Sequence, residues 1–211
     1  MSRTITRLFD TYADAERAVA ELERLGVPHR DISLVANNTH GAHDHHGGFT
    51  SEDGHTTGDH AAADAGKGAA TGGVVGGVGG LLAGLGLLAI PGLGPVVAAG
   101  WLAATVVGAG VGAAAGGAVG GLVGALTHAG ETPENAEVYA EGVRRGGTLV
   151  SVKAHDDQAA AVEAALHNYN AITAETRGGA YREAGWSRFD DTALPYTAEQ
   201  VDAERNRYQV V

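Results

Sequence analysis

Six histidines crowd residues 40–60: His40, His43, His45, His46, His55 and His60, beside Asp44, Glu52, Asp53 and Asp59. Neutral imidazoles and carboxylates are good ligands for zinc, nickel or copper. The spacing matches no closed site, and the surrounding glycines would hold ligands loosely. His40, His43, His45 and His46 are therefore candidates only for weak divalent-metal binding. The plainer reading is a polar linker whose charge changes near pH ~6.5. His128, His155 and His167 stand alone and are expected at the surface. There is no cysteine nucleophile, no GxSxG and no HExxH, so no catalytic constellation emerges. The remaining acids and arginines fall on helix faces at positions expected to be solvated. The expectation is a protein without catalysis and without a cofactor.

The second pattern is one of spacing. Gly68, Gly72, Gly76, Gly80 and Gly84 recur every four residues, and so do Gly100, Gly108, Gly112, Gly116, Gly120 and Gly124, with Ala104 at the one missing step. On a helix, positions i and i+4 stack along one ridge. A ridge of glycines is a groove that admits another backbone, as in small-xxx-small helix pairs. Glycine costs about 0.8–1 kcal/mol per helical position relative to alanine. Helix here would need support from packing or from a low-dielectric surround. A phosphate cradle is not indicated: no GxxxxGK[ST] occurs, and the string beginning Gly110-Val111-Gly112 carries Ala115 where GxGxxG needs glycine.

The segment that holds these ridges, residues 68–130, contains no Asp, Glu, Lys or Arg. Pro91 and Pro95, with Gly92 and Gly94 between them, predict a turn. The expectation is a glycine-zipper helical hairpin with arms of about 23 and 32 residues, each longer than the ~20 that a bilayer needs. Three destinations remain open: assembly of hairpins in a homo-oligomer, insertion into a membrane, or a glycine-rich spacer. Only Lys67 precedes the segment and only Trp101 lies within it, so the flanking basic cluster and aromatic belt of a membrane span are absent.

On either side the chain reads as an ordinary small domain. Residues 4–9 (TITRLF) form a strand pattern. Ala15, Ala18, Val19, Leu22 and Leu25 share one face of a predicted helix from Asp14 to Leu25, which Gly26 ends. Asp31–Ala36 predicts a second strand. After the insert, Thr132-Pro133 starts a helix that Gly146-Gly147 stops. Thr148–Ala154 predicts a third strand. Asp156 or Asp157 is then expected to cap a helix carrying Val162, Ala165, Leu166 and Tyr169, and residues 171–175 are expected to form a fourth strand. The fold class is α+β: a ferredoxin-like split βαβ/αβαβ domain interrupted by the helical hairpin. Its parts are residues 1–36 (βαβ), 37–67 (His/Gly/Asp-rich linker), 68–130 (hairpin), 131–175 (αβαβ) and 176–211. The last is a polar tail marked by Tyr181, Trp186, Phe189, Tyr196 and Tyr208, read as a docking arm or a short helix over 197–207.

The formal charge is −11, and none of the segments is basic. Nucleic acid therefore has no electrostatic footprint here, and an anionic membrane surface would not attract the chain by charge. The N-terminal residues have no apolar run of the secretory kind, and the lack of cysteine fits a cytoplasmic setting.

Four segments carry a family resemblance: TRLFDTYADAERAVAELERLGVPHRDISLVANN, AIPGLGPVVAAGWLAA, EVYAEGVRRGGTLVSVKA and YREAGWSRFDDTALPYTAEQ. Together they resemble bacterial general stress proteins of the heat-induced, YflT-like type. The resemblance implies a stress-regulated protein, cytoplasmic or membrane-associated, without catalysis and without site residues to carry over. Two functions of different class follow as expectations. One is a structural protein that self-assembles through the zipper. The other is a small-ligand or metal-binding module that uses the α+β head and the His-rich linker.

Overall fold

The computed structural model describes residues 2–41, 86–106 and 121–208. They form an α+β structure around one antiparallel sheet. The elements are β1 (Ser2–Phe9), α1 (Tyr12–Arg24), β2 (Ile32–Asn37), β3 (Gly86–Ile90), β4 (Gly94–Gly100), α2 (Leu122–His128), α3 (Pro133–Arg144), β5 (Thr148–His155), α4 (Ala159–Asn168), α5 (Ala174–Glu183) and α6 (Ala198–Tyr208). A further helical stretch covers residues 101–106.

Caps set several boundaries, those at Gly26 and Thr132 as foreseen from sequence and that at Thr11 not. Thr11 Oγ1 accepts the backbone N–H of Asp14 at 3.1 Å and starts α1. Gly26 and Val27 hydrogen-bond back to the Glu23 and Leu22 carbonyls and end it. Thr132 Oγ1 accepts from the Asn135 N–H at 3.2 Å, with Pro133 in the first turn, and starts α3. Thr132→Ala should lower stability by about 1 kcal/mol, the usual worth of such a cap; the midpoint of urea unfolding measures it.

The sheet order is β1-β5-β2-β4-β3, and every neighbouring pair is antiparallel. β1 and β2 run parallel to each other with β5 between them; β4 and β5 run parallel with β2 between them. The two halves of the chain thus interleave. Alternation along the strands buries both faces. Ile5, Phe9, Ile32, Leu34, Val97, Val150 and Val152 pack under α1 and α4. Leu8, Val35, Val96, Ala98 and Leu149 pack under α2, α3 and α5. A hydroxyl row crosses the second face, where Thr6, Ser151 and Ser33 stand opposite one another in register. Ser151 Oγ donates to Thr6 Oγ1 at 3.3 Å. Ser33 Oγ donates to the Ala99 carbonyl at 2.7 Å and accepts the Leu102 N–H at 3.2 Å. Tyr139 donates its hydroxyl to the Thr6 carbonyl at 2.7 Å, and burial followed by the charge of Glu131 pushes its pKa up to about 12.

Three expectations are corrected. Residues 86–100, expected within a helical hairpin, form a β-hairpin, because β4 pairs with β2 along Ser33–Asn37. Pro91 and Pro95 do flank a turn, but it joins strands. The fourth strand shrinks to a single bridge between Leu8 and Ile172, since Thr173 Oγ1 accepts the Thr176 N–H and starts α5 immediately. Neither Asp156 nor Asp157 caps α4: its N-cap position is Gln158, and no side chain bonds there.

Candidate functional site

The last turn of α3 gathers the charge that the sequence was expected to leave in solvent. Glu141 is 0 % exposed. Its carboxylate accepts from Arg144 Nη2 at 2.9 Å and from Arg145 Nε at 2.6 Å. A Schellman closure follows, in which Gly147 N–H bonds the Gly142 carbonyl and Gly146 takes φ +100°. Any side chain at Gly146 would strike Val201 of α6.

The C-terminal tail docks on this turn as a strap. Glu204 of α6 accepts from Arg145 Nη1 at 3.1 Å and pairs with Arg207 at 3.0 Å. Arg205 donates to the Gly146 carbonyl at 2.8 Å. Arg177 of α5 donates to Asp10 at 2.6 Å, and its guanidinium lies 4.0 Å from the Tyr208 ring centre. Arg145 lies 4.3 Å from the Tyr181 ring centre, and Arg144 sits 5.3 Å from that of Tyr196 and 5.7 Å from that of Phe189. Tyr181 meets Trp186 and Tyr208 edge-on at 6.0 and 6.3 Å. Four arginines, Arg144, Arg145, Arg177 and Arg207, therefore share three carboxylates in direct contact, within a chain of formal charge −11. Burial works against the charge on Arg145, but the hydrogen bond and charge of Glu141, with Tyr196 and Glu204, hold its pKa above the ordinary arginine value. Burial likewise pushes the Tyr181 hydroxyl above its usual range. The space left among Asp10, Arg145, Arg177 and Tyr208 is a cavity of about 10 Å³.

Such a cluster is suited to anions, and those it holds are the chain's own Glu141, Glu204 and Asp10. It offers planar guanidinium forks on aromatic supports, and no nucleophile beside a base. Sequence reasoning missed it. The only signals were the Arg144-Arg145 pair and the aromatic marks of the tail, and their partners lie far along the chain.

The second notable feature is β3, the outer strand on its side of the sheet among the described residues. It is uncharged, and Leu87 is 64 % exposed. The opposite edge, β1, carries Arg3 and Arg7 and is bridged by Ile172. Charge on an edge discourages pairing with another chain, and an apolar uncharged edge invites it.

Of the glycines expected in zipper ridges, Gly100 ends β4 at φ +83°, and Gly124 is half-buried in α2. Gly68, Gly72, Gly76, Gly80, Gly84, Gly108, Gly112, Gly116 and Gly120 lie outside the described residues, as do His43, His45 and His46. His40 is described, and its Nε2 sits 3.2 Å from Asp202 of α6. Among the described residues no group of three or more His, Asp or Glu could hold a metal ion, and no helix is long and apolar enough to cross a membrane. No protein-family model, curated protein or solved structure matches the chain.

Proposed function

We propose that this is a non-catalytic structural protein of the stress-response kind, which self-assembles through its uncharged glycine-rich insert in the cytoplasm or at a membrane surface. The observation that carries the reading is the β3 edge: a row of apolar residues with exposed Leu87 and no charge to discourage pairing. The glycine ridges on either side of the hairpin belong to the same proposal as features of sequence, and the likeness of four segments to general stress proteins supplies the stress setting. The interleaving of β1-α1-β2 with α3-β5-α4 supports a kinship with the ferredoxin-like arrangement, enlarged here by two strands from the insert, β4 and β3.

Leu87→Lys places a charge on the outer strand without disturbing a buried side chain. Light scattering after size exclusion should give a multiple of the single-chain mass for the unmodified protein, and a lower mass for the variant. A single-chain mass for the unmodified protein, or assembly indifferent to the lysine, would refute the proposal.

A further inference from the structure

We propose that the arginine cluster at the end of α3 is a binding site for a small anionic ligand bearing phosphate or carboxylate groups, and that Glu204 of the strap occupies it as a built-in substitute. The inference is independent of the assembly reading, which concerns another edge of the molecule.

Three observations carry it. The first is the shape of the receptor. Arg145 is fixed from below by Glu141 at 2.6 Å and flanked by the Tyr181 ring at 4.3 Å, so its outer nitrogen is aimed before anything arrives. A guanidinium held this way suits the two-oxygen edge of a carboxylate or phosphate. In the present structure a carboxylate is what it holds: Glu204 Oε2, at 3.1 Å from Nη1.

The second is the space. A cavity of about 10 Å³ is no larger than one water molecule requires. An outside anion must therefore take the place of the Glu204 carboxylate rather than sit beside it.

The third is how lightly the strap is held. Along α6 the buried residues are Val201 and Glu204, and Val201 is the one apolar side chain among them. At the end of the helix the half-buried Tyr208 ring rests against Tyr181 and Arg177, and the remaining attachments are polar: Arg205 to the Gly146 carbonyl, His40 to Asp202, and Glu204 to Arg145. Segments with few buried apolar contacts open at low free-energy cost. A competing anion exchanges one charge-assisted bond for others of the same kind, and the strap loses its principal tie.

Calorimetric titration of the full chain with inorganic pyrophosphate, and separately with citrate, tests this and distinguishes phosphate from carboxylate preference. Glu204→Gln removes the built-in charge and should bind at least tenfold more tightly than the unmodified chain. Adding Arg145→Lys to that variant should remove the gain, because the ammonium keeps the charge and loses the fork. In the unmodified chain, saturating pyrophosphate or citrate should speed amide exchange over residues 199–208 and leave β5 unchanged. Absence of binding heat in folded Glu204→Gln, binding that Arg145→Lys leaves intact, or exchange over 199–208 unaffected by either anion would each overturn the proposal.

Discussion

Glu141→Ala should destabilise the protein by about 3–5 kcal/mol, the usual cost of removing one partner from a buried ion pair. The magnitude follows from what stays behind. Arg144 and Arg145 keep only 10 % of their side-chain surface in solvent, and Glu141 keeps none. Arg145 would retain Glu204 and the Tyr181 ring, whereas Arg144 would retain no direct ion pair, only its aromatic neighbours and the more distant charge of Asp190. The loss should therefore fall mainly on Arg144. Urea unfolding checks the size of the effect. A double-mutant cycle with Arg144→Met checks its origin: the double variant should be more stable than Glu141→Ala alone, since the stranded charge has gone. A cycle without coupling would show that the carboxylate acts on something other than that arginine.

The second large effect is at Gly100. Its φ of +83° is a backbone conformation that L side chains avoid at a cost of roughly 1–2 kcal/mol. An added Cβ would also fall on the Ile32 carbonyl and within 2.8 Å of Ser33 Cα. Both belong to β2, so relief must come from moving the strand away from β4. That movement also threatens the bond from Ser33 Oγ to Ala99 and the one from Leu102 N–H to Ser33 Oγ. Gly100→Ala should therefore cost ~3 kcal/mol or more, combining the strain with lost hydrogen bonds worth about 1 kcal/mol each. Asparagine tolerates positive φ better than alanine does, yet its Cβ meets the same backbone. Gly100→Asn should be about as damaging, and near-normal stability of that variant in thermal unfolding would argue that dihedral strain alone mattered.

Gly100 also marks the limit of what sequence could reveal. α1, α3 and β5 were legible because each carries its own signals: the face made by Ala15, Ala18, Val19 and Leu22, the Thr132-Pro133 start, and the Gly146-Gly147 stop. The hairpin 86–100 had no such autonomy. Its uncharged apolar residues, lying between two stretches of glycines four apart, fit the ends of two helical arms as well as they fit two short strands, and short apolar runs do not declare their period. What decides is the ladder from Val96–Gly100 to Ser33–Asn37, a pairing across 59 to 67 residues that no local pattern announces. The arginine cluster was hidden for a related reason. Glu141, Arg144 and Arg145 sit on α3 at spacings that usually face water, and only the returning strap, with Val201 and Glu204, encloses them. Ile172 erred in the other direction. Its neighbours favour a strand, but Thr173 supplies a helix cap one residue later, and a single bridge is all that remains.

The threading of β5 between β1 and β2 has a consequence for how the chain is made. β1, α1 and β2 leave the ribosome first, yet β1 and β2 share no ladder; each hydrogen-bonds to β5, more than a hundred residues downstream. β2 can pair with β4 once Gly94–Gly100 has emerged, but β1 has no strand to pair with until Thr148–His155 follows. Contacts so distant along the chain also slow folding, because loop closure is charged before any pairing repays it. Truncation before residue 148 removes the strand that joins β1 to β2, so the N-terminal third cannot acquire this sheet on its own.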